Sequence, residues 1–146
     1  MNFSRVLVTG GAGFIGSHLV TRLLKEGFAV VVLDNLSTGS LENLELCLEN
    51  ENFRFVKGNI IDKQAVREAL KDVEAVFHLA AITSVPYSVE YSDVTREVNV
   101  DGTRRLLEEC LSIGVERFIY VSSCAVYGEP EYLPIDEEHP ARPVSP

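Results

Sequence analysis

Val6-Leu7-Val8-Thr9-Gly10-Gly11-Ala12-Gly13-Phe14-Ile15-Gly16 decides the fold of this chain. An apolar, β-branched run leads into glycines spaced G-x-x-G-x-x-G from Gly10, or G-x-G-x-x-G from Gly11. Glycines at either spacing let the backbone turn sharply and approach a pyrophosphate, while the succeeding helix offers unpaired N–H groups and the positive end of its dipole. Gly13 is expected nearest the phosphates, and Gly16 is expected to let helix and strand pack closely. A glycine triplet by itself is only a tight strand-to-helix turn. Here it opens a helical pattern with Ile15, Leu19, Leu23 and Leu24 on one face, and Asp34 stands 18 residues beyond Gly16 at the end of a second apolar run. That combination predicts a dinucleotide-binding βαβ unit.

Beyond this loop, short Val-, Ile- and Phe-rich runs alternate with amphipathic stretches, as in repeated βα units. Strands are predicted at Arg5–Thr9, Ala29–Asp34, Phe53–Lys57, Ala75–Leu79 and Arg117–Ser122. Gly27 should end the first helix. Leu41, Leu44 and Leu48 suggest a short second helix; Ala65, Val66, Ala69 and Leu70 suggest a third, with Asp62 as its N-cap. The longest helix is predicted over Asp93–Leu111, with Val94, Val98, Leu106, Leu107 and Cys110 inward and Gly114 closing it. The expected fold is α/β, a Rossmann-type doubly wound parallel sheet. Residues 1–128 are expected to form its dinucleotide-binding domain and 129–146 a Pro- and acid-rich loop. An ordered loop over a pocket and a frayed tail are equally compatible with that last composition.

The 146 residues are 46% hydrophobic and carry a net charge of −9, which offers no electrostatic footprint for nucleic acid or an anionic membrane. An anionic ligand must therefore be held by local dipoles. The three cysteines and three histidines are scattered without metal-ligand spacing, so no metal site is expected and the thiols should be reduced. No charged or apolar leader comes after Met1 and no run reaches about 18 apolar residues, which points to a cytoplasmic protein. Asp34 should accept hydrogen bonds from the adenosine ribose hydroxyls and repel a 2′-phosphate, which favours NAD over NADP. The plainer alternative is a carboxylate capping a loop.

Six stretches together carry a resemblance: Thr9–Gly16, Asp34-Asn35-Leu36-Ser37-Thr38-Gly39, Gly58-Asn59-Ile60, His78-Leu79-Ala80-Ala81, Asn99-Val100-Asp101-Gly102-Thr103 and Val121-Ser122-Ser123-Cys124-Ala125-Val126-Tyr127-Gly128. In this order they resemble an extended short-chain dehydrogenase/reductase of the NAD-dependent epimerase/dehydratase family, with the pattern of its UDP-glucose 4-epimerase-like group. The resemblance implies cofactor contacts from Gly10, Gly13, Phe14, Ile15, Gly16, Asp34, Asn35, Asn59, Ile60, Leu79, Ala80, Ala81, Asn99 and Ser122. Leu79–Ala81 would run along the cofactor and Asn99 would steady them from the long helix. The family usually places an aspartate after Gly58 to accept from the adenine amino group. Asn59 offers both an acceptor and a donor instead, so altered affinity is expected.

The resemblance also makes Ser123 the catalytic Ser/Thr that hydrogen-bonds the sugar hydroxyl being oxidised. Cys124 and Ala125 stand where family dehydratases carry Asp-Glu, which favours epimerisation over elimination of water. A Tyr-x-x-x-Lys pair, general base and pKa-lowering partner, is expected to begin just beyond Pro146, and none of the tyrosines present has a lysine four residues on. Three readings stay open: the N-terminal portion of a nucleotide-sugar 4-epimerase, acting on UDP-glucose/UDP-galactose by resemblance; another nucleotide-sugar reductase or decarboxylase of the family; or a non-catalytic NAD-binding module. The 146 residues alone are expected to be inactive and association-prone, with a bare edge on the last strand. The same resemblance implies a C-terminally truncated sheet with an incomplete NAD-binding domain, and a homodimer for a full-length member, paired through the long helix and the one expected beyond Pro146, with pairing compromised for these 146 residues alone.

Overall fold

The computed structural model describes residues 4–146; residues 1–3, the start of the expected first domain, lie outside the described residues. Five parallel strands form one sheet: β1 (Arg5–Thr9), β2 (Ala29–Asp34), β3 (Phe53–Lys57), β4 (Ala75–His78) and β5 (Arg117–Tyr120), in the order β3-β2-β1-β4-β5. β1 pairs with both β2 and β4, with Val8 opposite Val32 on one side and Phe77 on the other. A parallel sheet needs both faces covered, so its strands are apolar on consecutive positions rather than alternate ones. Val6, Val8, Val30 and Val32 pack toward Val20 and Leu23 of helix α1 (Phe14–Lys25). Leu7, Val31, Leu33 and Val76 pack on the opposite face toward Val66, Ala69, Leu70 and Leu106. Each such side chain contributes about 1.5–3 kcal/mol of burial.

The helix ends obey the sequence. Gly27 takes a positive φ of +88° at the end of α1, and Gly114 one of +80° at the end of the long helix. Asp62 caps α2 (Lys63–Ala69), its Oδ1 accepting the Gln64 and Ala65 amides at 2.8 and 3.3 Å.

Elsewhere the structure corrects the reading. The second helix is a 3₁₀ segment, Leu41–Cys47, that turns Leu44 and Cys47 inward at i, i+3 spacing and leaves Leu41 and Leu48 exposed. A further helix α3 (Val85–Glu90) precedes the long one. Pro86 looks like a breaker there but sits in the first turn, where its missing N–H is no loss, and Ser84 caps that turn through the Tyr87 amide. The long helix itself is α4 (Ser92–Arg96), a π-helical segment Glu97–Gly102, and α5 (Thr103–Ile113). The wider π turn rotates α5 about the helix axis relative to α4. The predicted stripe holds only in part: Val94, before the π turn, faces out, while on α5 Leu106 and Cys110 are buried one i, i+4 step apart and Leu107, a third of a turn round, faces out. β4 ends at His78 and β5 at Tyr120, each earlier than expected; Ser123 then caps a 3₁₀ turn, Cys124–Tyr127, through the Ala125 amide.

Residues 129–146 fold back on that turn. His139 is buried between the rings of Tyr127 and Tyr132, and its Nε2 accepts the Glu131 amide at 2.9 Å. Gly128, at φ +65°, approaches the Arg142 carbonyl so closely that a Cβ would lie 2.0 Å from it. β5 is an edge strand with Ile119 and Tyr120 exposed. Among the described residues no helix is long and apolar enough to cross a membrane.

Candidate dinucleotide site

The strand order reverses direction at β1, with the chain passing outward to β2 and β3 on one side and to β4 and β5 on the other. Ligands of open α/β sheets bind at such a switch point, beyond the carboxyl ends of the strands. Thr9–Gly10, Asp34, Gly58 and His78–Leu79 all emerge at that edge.

The glycine loop is close-packed. Gly10 has φ +70°, and a Cβ there would lie 2.8 Å from the Ala80 amide nitrogen, so the loop after β1 seats directly on the loop after β4. At Gly16 a Cβ would fall 2.2 Å from the Gly10 carbonyl oxygen and 2.7 Å from the Gly11 Cα. The close approach expected of Gly16 is therefore between helix and loop, and it is Gly11 that sits against a strand, 2.7 Å from Val32 by the same measure. Gly13 is the N-cap of α1, with no side chain bonded to the cap, and Phe14 and Ile15 beside it are exposed. The open first turn of a twelve-residue helix presents N–H groups to an anion. A pyrophosphate fits this cradle.

Asp34, 8% exposed, has a second task that spacing could not reveal. Its Oδ2 accepts the Ala12 amide at 2.9 Å and its Oδ1 the Leu36 amide at 2.8 Å. Each oxygen keeps a further lone pair for a ribose hydroxyl. The bond to Leu36 holds that residue at φ +61°, a costly conformation for a side chain bearing Cβ. Ala12 is also tied through its carbonyl, which accepts from the Ser40 amide and from Asn43 Nδ2 at 2.8 Å, while Gly39 packs on it. Asn43 and Gly39 thus shape the loop. Neither falls within the glycine spacing, although Gly39 stands in one of the resembling stretches.

Of the remaining residues, Asn35 is exposed and its Oδ1 accepts the Ser37 amide at 3.0 Å. Asn59 is half-buried, its Oδ1 accepting the Ile61 amide at 3.3 Å, which leaves the amide NH₂ as its outward donor. The Ile60 side chain is in the core beneath Gly102, so only its main chain can meet a ligand. Leu79 and Ala80 pack on opposite faces of the sheet, and Ala81 is exposed. Asn99, on the π-helical segment, clasps Ile82 at two points: Oδ1 accepts its amide at 2.8 Å and Nδ2 donates to its carbonyl at 2.9 Å. Ser122 and Ser123 are exposed beyond β5.

Two histidines and a cysteine complete the inventory. His78 is 1% exposed, and burial pushes its imidazole down to about 4. Its ring lies between Thr9 and Thr103, at 2.7 and 2.8 Å. His18 lies on the surface of α1 with Nδ1 2.8 Å from the Phe14 carbonyl. Burial pushes the Cys110 thiol up to about 11, which makes it inert as a nucleophile. No cluster of His, Cys, Asp and Glu suited to a metal occurs among the described residues.

The sequence profile described as "NAD dependent epimerase/dehydratase family" matches residues 6–146. The chain is 45% identical over 144 residues to the UDP-glucose 4-epimerase of Mycolicibacterium smegmatis, covering 97% of this chain and 46% of that protein. It superimposes with a TM-score of 0.90 on the UDP-N-acetylglucosamine 4-epimerase of Methanobrevibacter ruminantium, solved with UDP-N-acetylmuramic acid, at 39% identity and covering 99% and 46% of the two chains. The Thermus thermophilus UDP-glucose 4-epimerase in complex with NAD matches at TM-score 0.86 and 45% identity, over 97% and 45%. The chain thus spans less than half the length of these proteins. With the glycine cradle, the Asp34 tether and the strand order all in agreement with that match, the chain belongs to the NAD-dependent epimerase/dehydratase family.

Proposed function

We propose that this chain is the cofactor-binding half of an NAD-dependent UDP-sugar 4-epimerase. The observation that carries the reading is the cradle itself: an open helix N-terminus lined by Gly10, Gly13 and Gly16, with the Asp34 carboxylate bonded to Ala12 at its rim. The cradle holds the pyrophosphate through main-chain N–H groups, and Asp34 takes the adenosine ribose hydroxyls. Asn35, Asn59 and the Ile60 main chain border the adenine, while Leu79–Ala81, Asn99 and Ser122 border the path toward the nicotinamide. Bound NAD supplies a hydride acceptor, which lets the sugar C4 be oxidised and then reduced from its other face. Ser123 hydrogen-bonds the C4 hydroxyl, and the absence of carboxylates at Cys124 and Ala125 keeps the ring from losing water. The Tyr-x-x-x-Lys pair that the family resemblance implies is not among these 146 residues, so turnover needs chain beyond them.

The unit is read as a Rossmann domain over residues 1–128, with 129–146 leading toward that catalytic helix. Free thiols at Cys47, Cys110 and Cys124 suit a reducing cytoplasm, and Val94, Val100, Leu107 and Leu111, exposed along α4–α5, suit a homodimer through this helix.

The test is to incubate the complete polypeptide with NAD and UDP-galactose and monitor UDP-glucose. Interconversion without net NADH supports the epimerase. Net NADH moves the assignment to a reductase or decarboxylase of the family. NAD binding with no change in any UDP-sugar leaves a non-catalytic NAD-binding module.

A further inference from the structure

Leu79–Ile82 run on from the carboxyl end of β4 at the switch point, along the path proposed above for the cofactor, and both ends of that stretch are tied to a single chain of hydrogen bonds. At one end the Leu79 and Ala80 amides each reach the Thr9 hydroxyl at 3.2 Å, the Leu79 amide being shared with the Thr9 carbonyl. At the other, Asn99 clasps Ile82. Between them lies His78, with Nδ1 2.7 Å from Thr9 Oγ1 and Nε2 2.8 Å from Thr103 Oγ1. Thr103 Oγ1 in turn lies 2.7 Å from the Asn99 carbonyl.

Counting protons gives the chain a direction. A hydroxyl has one proton and two lone pairs. Thr9 Oγ1 spends its acceptors on two amides, so its proton goes to Nδ1. Thr103 Oγ1 gives its proton to the Asn99 carbonyl, which accepts only, so it receives from Nε2–H. Two independent hydroxyls therefore demand the same neutral tautomer, protonated at Nε2. A ring protonated at Nδ1 would face a Thr9 oxygen with no lone pair left.

We propose that His78 is a positioning residue: as the Nε2–H tautomer it locks the Leu79–Ile82 wall to the π-helical segment and so sets the width of the groove that receives the dinucleotide. This holds only if the groove binds NAD, and so rests on the proposed function. Phe118 and Tyr120 of β5 flank the ring, their centroids 5.7 and 5.8 Å from it.

The test uses the full chain, ¹⁵N-labelled for long-range proton–nitrogen spectra and titrated with NAD by calorimetry. Wild-type His78 is expected to show a protonated Nε2 and a bare Nδ1. Thr103→Val keeps the shape and removes the hydroxyl, and should weaken NAD binding about tenfold, the scale of one lost hydrogen bond. Thr103→Ser restores the hydroxyl and should bind within about twofold of wild type. Val66→Ala, a core truncation on α2 that touches none of the hydrogen bonds in this chain, should lower thermal stability at least as much as Thr103→Val yet leave NAD affinity unchanged, which separates positioning from general loosening.

The proposal is overturned if Nδ1 carries the proton, if Thr103→Val binds NAD as wild type does, or if Val66→Ala weakens binding equally. Should Thr103→Val not fold, the wild-type tautomer and the Thr103→Ser affinity still decide. A wild-type chain that binds no NAD overturns the cofactor reading, and the role of His78 with it, and is distinguishable from the other failures because no variant is then needed.

Discussion

Gly16 stands so close to Gly10 that a Cβ on the helix residue would come within 2.2 Å of the loop residue's carbonyl oxygen. The three nearest atoms are all backbone, so no side-chain rotation relieves the clash. Gly16→Ala is expected to lose at least about 1–3 kcal/mol, the usual range for overpacking, and to abolish NAD binding because the loop must move. Gly27→Ala is its control: open space surrounds that position and only its φ of +88° is strained. A loss of about 1–2 kcal/mol with NAD affinity intact is expected there. Urea unfolding and calorimetry on both variants check the contrast.

Asp34 carries two amides as well as its expected ligand role. Asn at this position has one acceptor oxygen, so either the Ala12 or the Leu36 N–H loses its partner. Asp34→Asn should therefore lower stability by about 1–3 kcal/mol even without cofactor, in addition to weakening NAD and narrowing its preference over NADP. Unfolding measured in the apo state isolates the first effect. An unchanged midpoint there would contradict the tether.

Stability should fall with mild acid because of His78. The unfolded chain takes up this proton near the ordinary value of 6.5, the folded chain only near 4. Between those values the unfolded state holds more protons, so stability declines as pH drops. The contribution is complete above the unfolded value and lost as pH falls toward the folded one, amounting to about 3 kcal/mol. The carboxylates act lower. Glu109 is held below its usual range first by its hydrogen bond from Arg67, and Glu74 by the Ser4 and Arg5 amides, so their contributions disappear only below the ordinary carboxylate range. Urea midpoints compared at about pH 7 and about pH 5 report mainly on His78, and equal midpoints would rule out a buried neutral imidazole.

Asn59→Asp offers a gain rather than a loss. The Asn59 amide oxygen faces the Ile61 N–H, leaving a donor outward, whereas the adenine amino group is itself a donor. A carboxylate keeps the Ile61 bond and supplies a second acceptor, so NAD affinity should rise about two- to tenfold, the range of one added hydrogen bond. Competition between NAD and a cofactor analogue lacking the amino group should show the gain for NAD alone.

Local and periodic features were readable in the chain because they depend on neighbours within a few residues. The β1 run, the glycine spacing, the Asp62 cap and the Gly27 and Gly114 stops each act over one turn or one strand. Asp34 could be placed by its distance from Gly16, although its bond to Ala12 could not. The long helix misled, since a π turn keeps the residue order while rotating the face, and Val94 then lies at the surface rather than on one face with Leu106 and Cys110.

The order of residues was enough for the fold class and, through the resemblance it carries, for the family. Glycine conformation, apolar periodicity and helix capping are local energies that any chain with these residues must obey. How the cradle is held was settled by the folded structure alone. Asp34 with Ala12, Gly10 with Ala80, and His78 with Thr9 and Thr103 join residues 22, 70, 69 and 25 positions apart. Such contacts exist because parallel strands return the chain to the same edge of the sheet, and that return is long-range geometry that no spacing along the chain encodes.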